Sequence, residues 1–244
     1  MTIWAIGDLH SSPPDPSTGQ PTKPMDAFGP RWVAHIDRLE ETWAGTVEER
    51  DTVILAGDLD WALHFQDALP TLERVASWKG RKLLVRGNHD YWWSSKTTNR
   101  VRRHLPEGLE LLHNNAFVVE GMNVCGTKGS PVPGGIDWTP EHEKLLHREL
   151  QRLRLSLAER DPTLPTIVAL HYPPFYVAFR TSPFKQLLEE TGVDVCVYGH
   201  LHGEAAALGP NGRYDSIEYR LVAGDFLDFR PLAVAQHGTV LSAT

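Results

Sequence analysis

Seven side chains in this 244-residue sequence share one trait: each follows closely on the end of a short apolar run and offers an oxygen or nitrogen lone pair. Asp8 and His10 follow TIWAI (2–6), and Asp58 follows TVILA (52–56). Asn88 follows KLLV (82–85) and is itself followed by His89 and Asp90. His171 follows TIVAL (166–170), and His200 and His202 follow VDVCVY (193–198). Two carboxylates, one amide oxygen and four imidazoles, with no thiolate, make a borderline-hard donor set. It suits manganese, iron, zinc or nickel better than calcium, which prefers an all-oxygen shell. Seven donors exceed one tetrahedral site and match two ions that share a carboxylate, with positions left for water and substrate. Singly, each has a bland reading. Gly-Asp marks a turn, a lone histidine is often a satisfied polar group, and Asn-His-Asp can cap a helix. Those readings must hold independently at five strand ends; one site accounts for all of them.

The elements that position these residues follow from the hydrophobic pattern. The five apolar runs are near-continuous, as strands buried on both faces are. In open α/β sheets ligands gather at the carboxyl ends of the strands, which is where the seven residues fall. Trp32, Ile36, Leu39 and Trp43 predict a helix over about 31–48, and Leu146, Leu150, Leu153 and Leu157 another over about 140–160. Arg148, Arg152 and Arg154 read as the solvated face of the second. ELLHNNAFVVEGMNVCG (110–126) predicts short antiparallel strands joined by Asn-Asn and Gly-Met turns, and residues 213–236 alternate as strands do. The whole reads as one α/β domain, 1–244, with antiparallel strands added late. The Pro-rich stretch 13–30, directly after the first strand, is either a site wall or a plain surface loop.

Composition narrows the class. Hydrophobic content of 41% and charged content of 23% suit a globular protein with a real core. A net charge of −7 argues against general attraction to nucleic acid or anionic membrane, while leaving room for a local basic patch. No apolar run approaches the roughly 20 residues of a membrane helix, and MTIWAIGDLH lacks the pattern of a signal peptide. Cys125 and Cys196 lie in apolar runs and read as buried free thiols. A cytoplasmic location is the expectation.

Taken in order, Asp8/His10, Gly57/Asp58, Gly87 to Asp90, His171 and Gly199 to His202 resemble the motifs of the calcineurin-like metallophosphoesterases. The resemblance implies a four-layer αββα sandwich of two mixed β-sheets flanked by helices, with a two-metal centre. It places Asp8, His10 and His202 on one ion and Asn88, His171 and His200 on the other, with Asp58 bridging and manganese foremost. Relatives often carry a second aspartate three residues after the bridging one; here that position is Trp61, with Asp60 just before it. The missing Asp-Arg-Gly counts against a protein phosphatase.

The expected chemistry is in-line attack on phosphorus by a hydroxide bridging the metals. His89, next to a ligand yet not one in the family pattern, is the candidate acid for the leaving oxygen. Asp60, His64 and Asp90 are candidates to support the ligands. Tyr91, Trp92 and Trp93 form either a stacking wall for a nucleotide-like substrate or a core or homodimer contact. Likewise the run Lys96, Arg100, Arg102 and Arg103 either meets substrate phosphate or is an exposed helix face. The leading expectation is a phosphodiesterase of small or nucleotide-like esters, ahead of a small-molecule phosphomonoesterase and a nuclease. A catalytically silent scaffold is the reading from another class, and the complete ligand set argues against it.

Overall fold

The computed structural model describes residues 1–15 and 17–241. Its first half alternates β1 (Thr2–Ile6), α1 (His35–Thr46), β2 (Thr52–Leu55), α2 (Phe65–Ser77), β3 (Arg81–Leu84), α3 (Thr98–His104) and β4 (Leu109–Leu111). These four strands are parallel neighbours in that order. The chain then crosses to a second sheet through β5 (Ala116–Val119) and β6 (Met122–Gly126). It continues through α4 (Glu143–Ala158), β7 (Thr166–Ala169), α5 (Pro183–Glu190), β8 (Val195–Tyr198), β9 (Gly212–Tyr214) and β10 (Ile217–Leu221). Finally β11 (Leu232–Gln236) and β12 (Thr239–Val240) return to the first sheet. The two six-stranded sheets run β12-β11-β1-β2-β3-β4 and β5-β6-β7-β8-β10-β9.

Alternation along the strands explains the layering. Ile3, Ala5, Ile54, Ala56, Leu83 and Val85 point from the first sheet into a shared apolar layer with Val124, Ile167, Ala169, Val195 and Val197 from the second. The opposite face of the first sheet (Val53, Leu55, Leu84) packs with Leu39 and Trp43 of α1 and Leu72 and Val75 of α2. The far face of the second (Val168, Cys196, Tyr198) packs with Leu150 and Leu153 of α4 and Leu188 of α5. Two mixed sheets between helical layers result, as the resemblance implied. At one rim the sheets touch directly. The Gly7 amide donates to the Val222 carbonyl at 2.7 Å, and Gly7 bridges to Ala223. A Cβ on Gly7 would stand only 3.0 Å from that of Ala56. Small residues at this rim let the two sets of strand ends converge.

Several local expectations change. The α1 stripe begins in a 3-10 turn, Pro30–Trp32, and the helix starts at His35 after Ala34 turns into the left-handed region at φ 48°. Trp32 is buried all the same. A similar turn, Pro140–His142, precedes α4. β4 does not pair with β5: Asn114 (φ 60°) lies in the crossing between sheets, and the hairpin turns at Glu120 and Gly121, both with positive φ. Nor is α4's basic face simply solvated. Glu149 is fully buried, accepts from the Thr127 hydroxyl at 2.7 Å, and pairs with Arg152, itself mostly buried. Cys125 and Cys196 are buried free thiols. Among the described residues, no helix is long and apolar enough to cross a membrane.

Ala56 is fully buried in the shared layer. Leucine there should overfill it, destabilising by about 1–3 kcal/mol and lowering the melting temperature by about 2–4 °C per kcal/mol. A variant melting with the parent would show that the rim has slack.

Candidate metal centre

Each donor is set by a loop that leaves a strand end, and four of the seven sit in unusual backbone geometry. Asp8, His10, Asp58 and His200 have φ of 57°, 45°, 51° and 73°, a region disfavoured for residues with a Cβ. Cross-bracing holds them there. The Asp8 amide donates to Gly57 O (2.8 Å) and the His10 amide to Asp58 O (2.9 Å). The His89 amide donates to Asp58 Oδ1 (2.7 Å) and the His200 amide to Asp8 Oδ2 (2.9 Å). Two glycines are sterically required: a Cβ on Gly87 would overlap the Asp58 carboxylate, and one on Gly199 that of Asp8.

The donors converge in two groups. In one, His10 Nε2 and His202 Nε2 are 3.2 Å apart, with Asp8 Oδ1 3.9 Å and 3.4 Å from them. In the other, Asn88 Oδ1 lies 2.7 Å from His171 Nε2 and 2.9 Å from His200 Nδ1. Asp58 stands between, its Oδ2 3.7 Å from His10 Nε2 and 3.5 Å from His171 Nε2. The outward nitrogens of three of the imidazoles have fixed partners. His171 Nδ1 meets Ala56 O (3.0 Å), His202 Nδ1 meets Asp225 Oδ1 (2.7 Å) and His200 Nε2 meets Asp137 Oδ2 (2.7 Å). Each such partner engages the outward nitrogen and aims the inward one at the cluster, the arrangement of metal-bound histidines. The residues therefore fit two divalent ions.

The electrostatics agree. Burial, with Asp90 and Asp8 nearby, lifts the Asp58 carboxyl well above its usual range. Burial, then His202, pulls His10 down, and burial, then His200, does so for His171. Burial would also lower His202, but the Asp8 and Asp225 carboxylates outweigh it and push the imidazole up to about 10.

His89 is half-buried beside this cluster. Its ring lies against Trp61, centroids 4.0 Å apart and planes tilted by 41°, and its Nδ1 meets the Tyr91 hydroxyl at 2.9 Å. Nε2 lies 4.0 Å from Asp58 Oδ2. Tyr91 and Trp61 orient it; Asp60 does not. The Asp60 carboxylate is buried, accepts from Ala62 N and Thr71 Oγ1, and is pushed up to about 7 chiefly by burial. His64 is exposed and only precedes α2. Asp90 is fully buried and accepts from the amides of Gly87, Asp58, Leu59 and Asp60 and from Trp92 Nε1. Trp92 and Trp93 are core residues, which removes them from any substrate wall; Tyr91 is 48% exposed. The aromatic wall comes instead from Trp61 and Trp32.

Two partners escaped the sequence reading. Asp225 had a signal: RLVAGD repeats the strand-glycine-aspartate pattern of Gly7-Asp8 and Gly57-Asp58. Asp137, in a long loop, had none.

Two pockets share Trp61 as a wall. One, of about 570 Å³, is walled by Met25, Phe28, Trp32 and Trp61 and floored by His10, His89 and His202. The other, of about 420 Å³, includes Lys23, Leu63, His64 and Tyr91. The 13–30 stretch thus does line the site, through Lys23, Met25 and Phe28.

Two facing sheets that bring O and N donors to a common rim define a dinuclear metal-centre fold. The chain belongs to the calcineurin-like phosphoesterase family, whose model matches residues 1–204. It is a metal-dependent phosphoric ester hydrolase. No curated protein sequence matches it. Among solved structures it is similar to the phosphopantetheinyl hydrolase PptH from Mycobacterium tuberculosis, with 16% identity, TM-score 0.54, and 91% and 88% of the two chains covered. It is also similar to the protein of unknown function AQ665 from Aquifex aeolicus, with 15% identity, TM-score 0.50, and 95% of each chain covered.

With its pKa near 10, His202 carries a proton on both nitrogens at neutral pH in the metal-free protein. A divalent ion must displace the inward one, so affinity rises with pH everywhere below that value. Calorimetry of Mn²⁺ binding in buffers of different ionisation enthalpy should show at least one proton released, with tighter binding from about pH 6 to 8. Enthalpies independent of buffer would contradict this protonation state.

Proposed function

We propose that the protein is a dinuclear metal-dependent phosphodiesterase acting on small or nucleotide-like phosphate esters. Asp8, His10 and His202 would hold one ion and Asn88, His171 and His200 the other, with the Asp58 carboxylate placed to serve both. Two divalent ions bound there, manganese foremost, would supply Lewis acidity toward phosphoryl oxygens and lower the pKa of a bound water toward neutral. The observation that carries the diester reading is the pair of pockets that share Trp61 as a wall. A diester presents two organic groups and a single negative charge, and the larger pocket is walled by apolar side chains beside His10 and His202. The mycobacterial neighbour's name, phosphopantetheinyl hydrolase, is in keeping with a small phosphate ester. The buried free thiols suit a reducing compartment such as the cytoplasm.

The chain's own part in the reaction centres on His89. With Nδ1 engaged by Tyr91 and the ring held against Trp61, Nε2 is the nitrogen left to face substrate. Burial, then His200, pulls this imidazole down to about 4, so it is neutral in the resting site. An anionic phosphate alongside favours the protonated form, and that proton passes from Nε2 to the departing oxygen.

On Mn²⁺-loaded protein, bis(p-nitrophenyl) phosphate should exceed p-nitrophenyl phosphate in kcat/KM by about 10-fold or more, the worth of one further group in an apolar pocket. Monoester preference would overturn the diester reading. His89→Ala should lower kcat by about 10²–10⁴-fold while metal analysis still finds both ions. Full turnover in that variant would remove His89 from the proton transfer.

A further inference from the structure

The pocket of about 570 Å³ beside His10 and His202 is lined by three aromatic side chains besides its imidazoles, and they differ in freedom. Two are fixed by the centre itself. Trp61 stacks on His10, with centroids 5.0 Å apart and planes at 27°, and lies against His89 at 4.0 Å. Trp32 stands edge-on to His10 at 5.7 Å and to His202 at 5.5 Å, and meets Phe229 at 5.2 Å. The third is Phe28, at 72% the most exposed large apolar side chain among the described residues.

The backbone around Phe28 accounts for that exposure. Phe28 ends the 3-10 turn Met25–Phe28, and after Gly29 comes the turn Pro30–Trp32. Met25 and Trp32, at the two outer ends, are buried and pin the segment. Between the turns Gly29 takes φ 120° and ψ 173°, a conformation essentially confined to glycine. A Cβ at 29 would meet nothing within 4 Å, so the backbone angle alone calls for glycine. The segment thus leaves Phe28 lining the pocket with most of its ring in solvent.

Polar groups in the pocket are largely engaged. The Asp225 carboxylate accepts from the Gly203 amide at 3.0 Å and pairs with His202 Nδ1 at 2.7 Å. The Arg31 guanidinium donates to the Asp225 carbonyl at 3.2 Å. His10 Nε2 and His202 Nε2 face each other at the metal position. What remains for a ligand is aromatic surface, two walls rigid and one open. An aliphatic group gains burial there, whereas a planar ring gains burial and face contact as well.

We infer that this pocket is a stacking site for an aromatic ring on one arm of the substrate, with Phe28 as the residue that selects it. The inference rests on the diesterase reading, which puts an organic group in the pocket. It narrows the substrate class to phosphate esters carrying a planar ring, a nucleobase or an aryl group, over those with alkyl arms. Face contact is tolerant of ring substituents, so recognition is broad among rings.

Benzylphosphonate and (cyclohexylmethyl)phosphonate test this on the Mn²⁺-loaded full chain. They match in carbon number and charge, and neither has an ester bond to be cleaved. Burial alone favours the saturated ring, so a preference for benzyl reports stacking. Calorimetry should show benzylphosphonate binding about fivefold more tightly. Phe28→Leu, at an exposed position that folding tolerates, keeps an apolar wall without a ring and should bring the ratio toward one. Phe28→Tyr should retain it. In turnover, Phe28→Leu should raise KM for bis(p-nitrophenyl) phosphate more than it lowers kcat. Equal affinities in the parent, or a preference that survives Phe28→Leu, would overturn the inference. So would a preference lost in Leu63→Ala instead, which would put the ring in the other pocket. If the diester is not turned over while the benzyl preference is present and lost in Phe28→Leu, the diesterase reading falls and the stacking site stands.

Discussion

The Asp90 carboxylate, with no exposure to solvent, receives five donors between 2.7 and 3.3 Å. Four are backbone amides: three from the loop after β2 and one from its own loop after β3. Burying a carboxylate is tolerated only when its oxygens are satisfied, and here they are. Through it two adjacent loops become one rigid piece. Asp58 is held at φ 51° with its carboxylate aimed inward, while Asn88 is delivered from the other loop at a fixed distance. Gly87 is the steric condition for this staple, since any side chain there would displace Asp58.

The remaining donors depend on the contact between sheets. Asp8 and His10 leave β1, His171 leaves β7, and His200 and His202 leave β8. They meet because the rim is lined by small residues and bridged from Gly7 to Val222 and Ala223. The strain at Asp8, His10, Asp58 and His200 is distributed over this seam, each amide paired with an atom of a neighbouring loop. Asp225 and Asp137 complete the arrangement from outside by fixing which face of an imidazole turns inward.

The strands and the donor set were legible because both depend on local sequence: an apolar run, a glycine, a polar residue with a lone pair. What the sequence did not disclose depends on tertiary contact. Trp92 and Trp93 follow a ligand by only a few residues, yet packing against α2 and α3 draws them inward and leaves Tyr91 alone at His89. Asp60 lies one residue before the position of the family carboxylate, and Thr71 and the Ala62 amide hold it away from His89. Trp61 takes the orienting place through its tilted ring contact with His89. Arg152 belongs to the face read as solvated and still turns inward, to pair with Glu149, a carboxylate buried at a position of the leucine stripe. Asp225 was readable, as a third strand-Gly-Asp ending, while Asp137 reaches His200 from 63 residues away without a local mark.

The division of donors between two sheets has a consequence for biosynthesis. His10 and His202 meet across 192 residues of chain, so this group closes only when both halves of the sandwich have docked. Contacts of such sequence separation form late in folding. A nascent chain with β1 to β4 in place holds Asp8, His10, Asp58 and Asn88 as an open, half-furnished cup, and β8 must leave the ribosome before His200 and His202 can close it. Metal capture is thereby deferred until the polypeptide is nearly finished, which protects an incomplete molecule from being locked prematurely around an ion.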